Sequence, residues 1–158
     1  MRPLPSVETL VLPPRARLIG VDLGTKTIGL ALSDVERRLA SPLVTIKRTK
    51  FGADAQALAD KVRAFEAAAL VFGLPLALDG GDSARAQATR GFAREFVKLY
   101  PIPLVFWDER MSTAAVERDL IANDVSRARR AEVIDKMAAA YILQGALDRL
   151  GNVREKLS

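Results

Sequence analysis

The chain has 158 residues, 49% of them hydrophobic, with 24 Lys plus Arg against 19 Asp plus Glu and neither histidine nor cysteine. That length and apolar content suit one globular domain. The two absences exclude disulfides, thiolate nucleophiles, zinc fingers, iron–sulfur clusters and any triad or metal site built on imidazole. Catalysis must then run on carboxylates, Lys, Arg, hydroxyls, backbone groups or a hard metal ion, and the formal charge of +5 favours a polyanionic partner.

Residues 1–16 hold four of the eight prolines, at Pro3, Pro5, Pro13 and Pro14, and read as an extension ahead of a domain spanning 17–150, with 151–158 a C-terminal tail. Those prolines and Glu8 also argue against a secretory leader. Leu18–Asp22 and Ile28–Leu32 are short apolar runs separated by Gly24-Thr25-Lys26-Thr27, which predicts a tight hairpin. A third strand is expected near Ser41–Arg48. Leu58, Val62 and Phe65 recur at helical spacing and predict an amphipathic helix over Asp54–Ala68.

Alternation follows, with a strand at Ala69–Gly73, a helix at Ser83–Leu99, a strand at Pro103–Trp107 and helices at Thr113–Ile121 and Ala131–Leu150. Strand and helix in turn imply a parallel layer. The expected fold is α/β, a mixed five-stranded sheet with three antiparallel strands first and two parallel ones last, flanked by helices. The longest apolar run, Ala67–Leu78, is broken by Gly73 and Pro75 and falls short of the roughly 18 residues of a membrane span. A cytoplasmic protein without membrane contact is therefore expected.

Three places concentrate carboxylates. Asp22 ends the first apolar run, where it can either serve a site or accept backbone N–H groups in the turn before Gly24. Asp108 and Glu109 close a buried-type strand, so they point to opposite faces at the end of the sheet where α/β proteins bind ligands. On a wheel of about 100° per residue, Asp135 lies opposite the polar face of Lys136, Gln144 and Asp148, beside Ala131, Ala138, Ala139 and Ile142. It is expected to point inward, as a functional group or a satisfied core aspartate, and needs a cation, a donor or a raised pKa. If the three acids converge, their guest is Mg²⁺ or Mn²⁺, which prefer oxygen ligands and support phosphodiester hydrolysis.

The segments Gly20-Val21-Asp22-Leu23-Gly24-Thr25-Lys26-Thr27-Ile28-Gly29, Val71-Phe72-Gly73-Leu74-Pro75, Asp108-Glu109-Arg110-Met111-Ser112-Thr113 and Ile134-Asp135-Lys136-Met137-Ala138-Ala139, with Ile142-Leu143-Gln144 beyond, resemble the YqgF/RuvX family. Its members are Holliday-junction-resolvase-like nucleases that process pre-16S rRNA. The resemblance runs in order from about residue 17 to 150 and does not cover residues 1–16. It implies an RNase H-like fold, a Mg²⁺-dependent acidic site as in RuvC resolvases, and catalytic roles for Asp22, Glu109 and Asp135. Resolvases of the wider superfamily often carry a fourth acid one helical turn from the third, which makes Glu132 a candidate metal ligand. Asp108 is expected in a supporting role.

Basic residues complete the expectation. Lys26 follows Asp22 and Arg110 follows Glu109, each placed to hold a scissile phosphate or simply to neutralise the acids. Arg127, Arg129 and Arg130 precede the last helix, where cations oppose its dipole, so phosphate contact explains them better than helix stability. Arg90, Arg94 and Lys98 make either a phosphate-binding stripe or a solvated face. The loop from Gly73 to Ser83 leads to a helix N-terminus that could take a phosphate, with Asp82 or Ser83 as N-cap the plainer use. Expected substrates are precursor rRNA of the small ribosomal subunit or branched DNA, cut by a monomer or a homodimer. The competing readings are a nucleotide-binding actin-like or kinase module, suggested by Asp22-Leu23-Gly24-Thr25, and a non-catalytic ribosome-assembly factor.

Overall fold

The computed structural model describes residues 9–77, 79–111 and 130–157, without the side chains of 130–135 and 152–157. Strands β1 (Arg17–Leu23), β2 (Thr27–Ser33) and β3 (Ala40–Lys47) lead into helix α1 (Phe51–Ala64). Strand β4 (Ala67–Leu74), helix α2 (Ala84–Leu99), strand β5 (Leu104–Asp108), a 3-10 turn (Glu109–Met111) and helix α3 (Arg130–Leu157) follow. The strands form one sheet in the order β3-β2-β1-β4-β5. Neighbours β1, β2 and β3 run antiparallel, while β4 lies parallel to β1 and β5 parallel to β4. The mixed sheet expected from the sequence is the one observed.

Strand β1 is central and covered on both faces, which is why it reads as an unbroken apolar run up to Asp22. Side chains alternate between two cores. Ile19 and Val21 join Leu30, Leu70 and Phe72 under α1 and α2, against Leu58, Phe92 and Phe96. Leu18, Val71 and Val105 face the other way, under Ala139, Ile142, Leu143 and Leu147 of α3. Strands β1 and β2 join through Gly24-Thr25-Lys26, one residue fewer than the link read from the sequence because Thr27 already belongs to β2, and the Gly24 N–H donating to the Thr27 carbonyl at 2.8 Å closes the turn.

The helix expected over Asp54–Ala68 lies instead at Phe51–Ala64. The chain reverses at Phe65 and Glu66, and Glu66 takes a left-handed φ of 53°. Neither glycine nor proline marks that stop, so pattern reading runs past it. Ser83 caps α2, accepting from the Ala86 N–H at 3.0 Å, the plainer of the two readings of that loop. Helix α3 continues through 151–157, the stretch set aside as a tail. Leu10 and Leu12 of the N-terminal extension pack on the α3-side core, and the Arg37 Nη1 donates to the carbonyls of Pro13 and Ala16 at 3.1 and 2.9 Å. Residues 1–8 and the helix expected at Thr113–Ile121 lie outside the described residues. Among the described residues no helix is long and apolar enough to cross a membrane.

Helix α3 lies unusually close to the sheet. A Cβ on Gly20 would stand 2.7 Å from the Leu143 Cβ and 2.9 Å from the Ala139 carbonyl oxygen, and one on Gly73 would collide with Ile142. Gly20→Ala is expected to destabilise the protein by about 1–3 kcal/mol, because the clash includes backbone and outweighs the entropy gained by replacing a strand glycine. Urea unfolding would show this as a lower midpoint at unchanged slope.

Candidate functional site

Because β1, β4 and β5 are parallel, their carboxyl ends meet at one edge of the sheet, where β1 delivers Asp22 and β5 delivers Asp108 in register with Leu74 of β4. Asp22 is only 3% exposed. Strand alternation puts it on the α3 face with Gly20, two residues earlier. A carboxylate that deep requires compensating charge or donors. Part of the compensation comes from Arg85, in the first turn of α2, whose Nη2 lies 3.9 Å from the Asp22 Oδ1 and donates to the Leu23 carbonyl at 3.3 Å.

A second arginine holds the same hairpin. Arg48 Nη1 donates to the Gly24 carbonyl at 2.7 Å, and its Nε stands 3.7 Å from Oδ2 of the buried Asp54. The other Asp54 oxygen accepts from the Thr49 N–H at 3.0 Å. The backbone after Asp22 is thus tied to the starts of both α1 and α2. Lys26, at the hairpin tip, is exposed.

On the neighbouring strand, alternation puts Trp107 on the α3 face and Asp108 on the other, with Phe106. Arg110 grips Asp108 through its backbone N–H and Nε at 3.0 Å to Oδ1 and through Nη2 at 2.7 Å to Oδ2. Its guanidinium also backs onto Gly80, whose φ of 89° belongs to the left-handed region. Burial pushes the Asp108 carboxyl up, but the Arg110 side-chain and backbone hydrogen bonds and the Arg110 charge outweigh it and hold the group below its ordinary value. Glu109 opens the 3-10 turn, half-buried.

The other expected residues divide clearly. Arg90 bonds Asp82 through Nε and Nη2 at 3.2 and 3.1 Å and lies over the Phe106 ring. Arg94 is exposed, 3.9 Å from Glu95, which also holds Lys98 at 3.0 Å. The loop before α2 spends several polar groups on itself, with Ala77 N–H to the Gly81 carbonyl, Gly80 N–H to the Ala77 carbonyl and Gly81 N–H to Asp79. Asp135, Glu132 and Arg130 fall within α3, but their side chains lie outside the described residues, as do Arg127 and Arg129 entirely. The Asp135 position is one turn before Ala139, whose carbonyl abuts Gly20. Among the described residues no three acids are grouped as a metal-holding set. The donors available at this edge, Asp22 and Glu109, are carboxylate oxygens, the chemistry a hard divalent cation takes.

Sequence reading missed Arg85 and Arg48. For Arg85 the signal was present, since it follows the N-cap Ser83 in a first turn that contains no acid, where a cation opposes the helix dipole. For Arg48 only the fold brings the end of β3 beside Gly24.

The Asp108–Arg110 contact carries a pH signature. A carboxyl held below its unfolded value contributes stability that is complete above that value and is lost as pH falls through the folded one. Asp108→Asn is therefore expected to lower stability at neutral pH and to make no difference once pH drops well below the ordinary 3.8. Urea midpoints of both proteins from pH 7 to pH 2.5 would converge at the acid end; parallel curves would contradict the assignment.

Comparison with known proteins agrees with this architecture. The family profile described as "RuvX: Holliday junction resolvase" matches residues 16–149. A relative from Methylocella silvestris named "Putative pre-16S rRNA nuclease" is 64% identical over 140 residues, 89% of this chain and 87% of the relative. One of the same name from Beijerinckia indica is 61% identical over 153 residues, 96% and 93% of the two chains. Among solved structures, RuvC of T. thermophilus in complex with a Holliday junction substrate superposes with a TM-score of 0.55 at 13% identity, covering 86% of this chain and 96% of that one. That likeness shows the RNase H-like fold. With a family match over nearly the whole domain and relatives above 60% identity, the chain belongs to the RuvX family.

Proposed function

We propose that the chain is a metal-dependent phosphodiester hydrolase of structured nucleic acid, which trims the 5′ end of precursor 16S rRNA in the cytoplasm. The observation that carries this reading is Asp22, a buried carboxylate at the carboxyl end of the central strand, on the edge where the turn after β5 begins with Glu109. Asp22, Glu109 and Asp135 would hold Mg²⁺ or Mn²⁺, with Glu132 a further candidate ligand. A cation so held would supply the activation of water and the stabilisation of a leaving oxygen for which a chain without histidine has no imidazole. Lys26, exposed at the tip of the hairpin that follows Asp22, and Arg127, Arg129 and Arg130, which precede Asp135 in sequence, would meet the phosphate backbone. Asp108 acts through Arg110, fixing the turn that presents Glu109.

The names carried by the relatives favour precursor rRNA as substrate. The family description and the RuvC likeness favour a second reading, cleavage of branched DNA. A two-fold symmetric junction would call for a homodimer with two sites, whereas rRNA trimming can be done by a monomer. Incubating the purified chain and Mg²⁺ with a 5′-extended 16S precursor fragment and, separately, with a four-way junction decides between them.

Asp22→Asn, Glu109→Gln and Asp135→Asn are each expected to lower Mg²⁺-dependent cleavage by more than about 100-fold, since a held cation supplies several kcal/mol to the transition state. Circular dichroism should show all three folded. Undiminished cleavage by all three would overturn the site.

A further inference from the structure

Arg85 is bound differently from the other arginines near the carboxyl edge. Arg90 and Arg110 are tied to their own acids, Asp82 and Asp108, at 3.1 and 2.7 Å. Arg85 approaches Asp22 at 3.9 Å, its side chain is 43% exposed, and its second contact is one 3.3 Å bond to the Leu23 carbonyl. Its backbone, by contrast, is fixed: Ser83 caps the helix and the Thr89 hydroxyl donates to the Arg85 carbonyl at 2.9 Å. A long flexible side chain on a fixed stem therefore rests loosely on a buried carboxylate. Helix stability does not explain a cation in the first turn of α2, where the dipole favours anions.

We infer that Arg85 is an exchangeable counter-ion of Asp22. It neutralises the carboxylate when no divalent cation is bound, competes with that cation for it, and once displaced offers its guanidinium to the phosphodiester backbone. This rests on the metal-dependent reading of the site. A planar guanidinium suits both partners, since carboxylate and phosphate present matching pairs of oxygens. Each positive charge beside the buried carboxylate weakens its hold on the other, so guanidinium and metal ion compete for it.

The test is metal and nucleic-acid binding by the full chain, without turnover. In titration calorimetry with Mn²⁺ alone, Arg85→Gln should bind the metal at least about fivefold more tightly than wild type, the loss of a competing charge about 4 Å away counted at the dielectric of water, a lower bound beside a buried carboxylate. Arg85→Lys, which keeps the charge, should stay near the wild-type affinity. In saturating Ca²⁺, an oxygen-liganded stand-in for the cation, binding of the 5′-extended rRNA fragment by Arg85→Gln should lose about one unit of slope in log affinity against log salt, whereas in EDTA, with Arg85 held on Asp22, the two slopes should match. Equal or weaker Mn²⁺ binding by Arg85→Gln would overturn the inference, because an arginine that only braces the Leu23 carbonyl predicts one of those. If wild type itself binds no Mn²⁺, the metal-dependent reading fails instead.

Discussion

A carbonyl of α3, that of Ala139, reaches within 2.9 Å of the space a β-carbon on Gly20 would fill. Few contacts in the molecule leave so little room, and the arrangement of the carboxyl edge follows from it. Gly20 and Gly73 remove side chains from the sheet where the helix crosses, and Gly145 removes one from the helix where the Trp107 ring lies against it. Alanines at 138, 139, 140 and 146 complete a face narrow enough to settle on the strands. Close packing of this kind is intolerant of added methyl groups and holds the helix in one register. That register fixes how far the Asp135 position stands from β1, and so whether acids on different elements can serve one ion.

The same edge shows how a basic protein arranges its charge. A surplus of five positive charges does not spread as a uniform patch, because several arginines near the edge are matched locally: Arg110 with Asp108, Arg90 with Asp82, Arg48 with Asp54. These pairs do architectural work, joining β5 to its turn, the loop before α2 to its helix, and the first hairpin to α1. Lys26, by contrast, is exposed at the hairpin tip, and Arg127, Arg129 and Arg130 precede Asp135 in sequence. On the proposed reading, a site that takes both a divalent cation and a polyanion benefits from this division. Matched arginines set the geometry, and on that reading the exposed Lys26 and the loosely held Arg85 serve the phosphate backbone.

Much of this was legible beforehand because the signals are local. The hairpin at Gly24–Thr27, the alternation through Ala67–Leu74 and Leu104–Asp108, and the alanine face of the last helix each depend on residues close in sequence. The end of α1 was not legible, since Glu66 adopts a left-handed conformation with no glycine to announce it. Nor was the docking of Leu10 and Leu12, which needs α3 as a partner.

The sequence by itself determined the class of chemistry. Without histidine or cysteine, and with acids at two strand ends and on one helix, only oxygen donors were on offer, and composition and spacing suffice to say so. Tertiary structure alone decided which cations meet which anions. Arg85 is 63 positions from Asp22 and Arg48 is 24 from Gly24, and no periodicity connects either pair. Parallel strands bring their carboxyl ends to one edge and deliver the starts of α1 and α2 beside it. Charge pairing there follows from distance in space, which the order of residues along a chain does not encode.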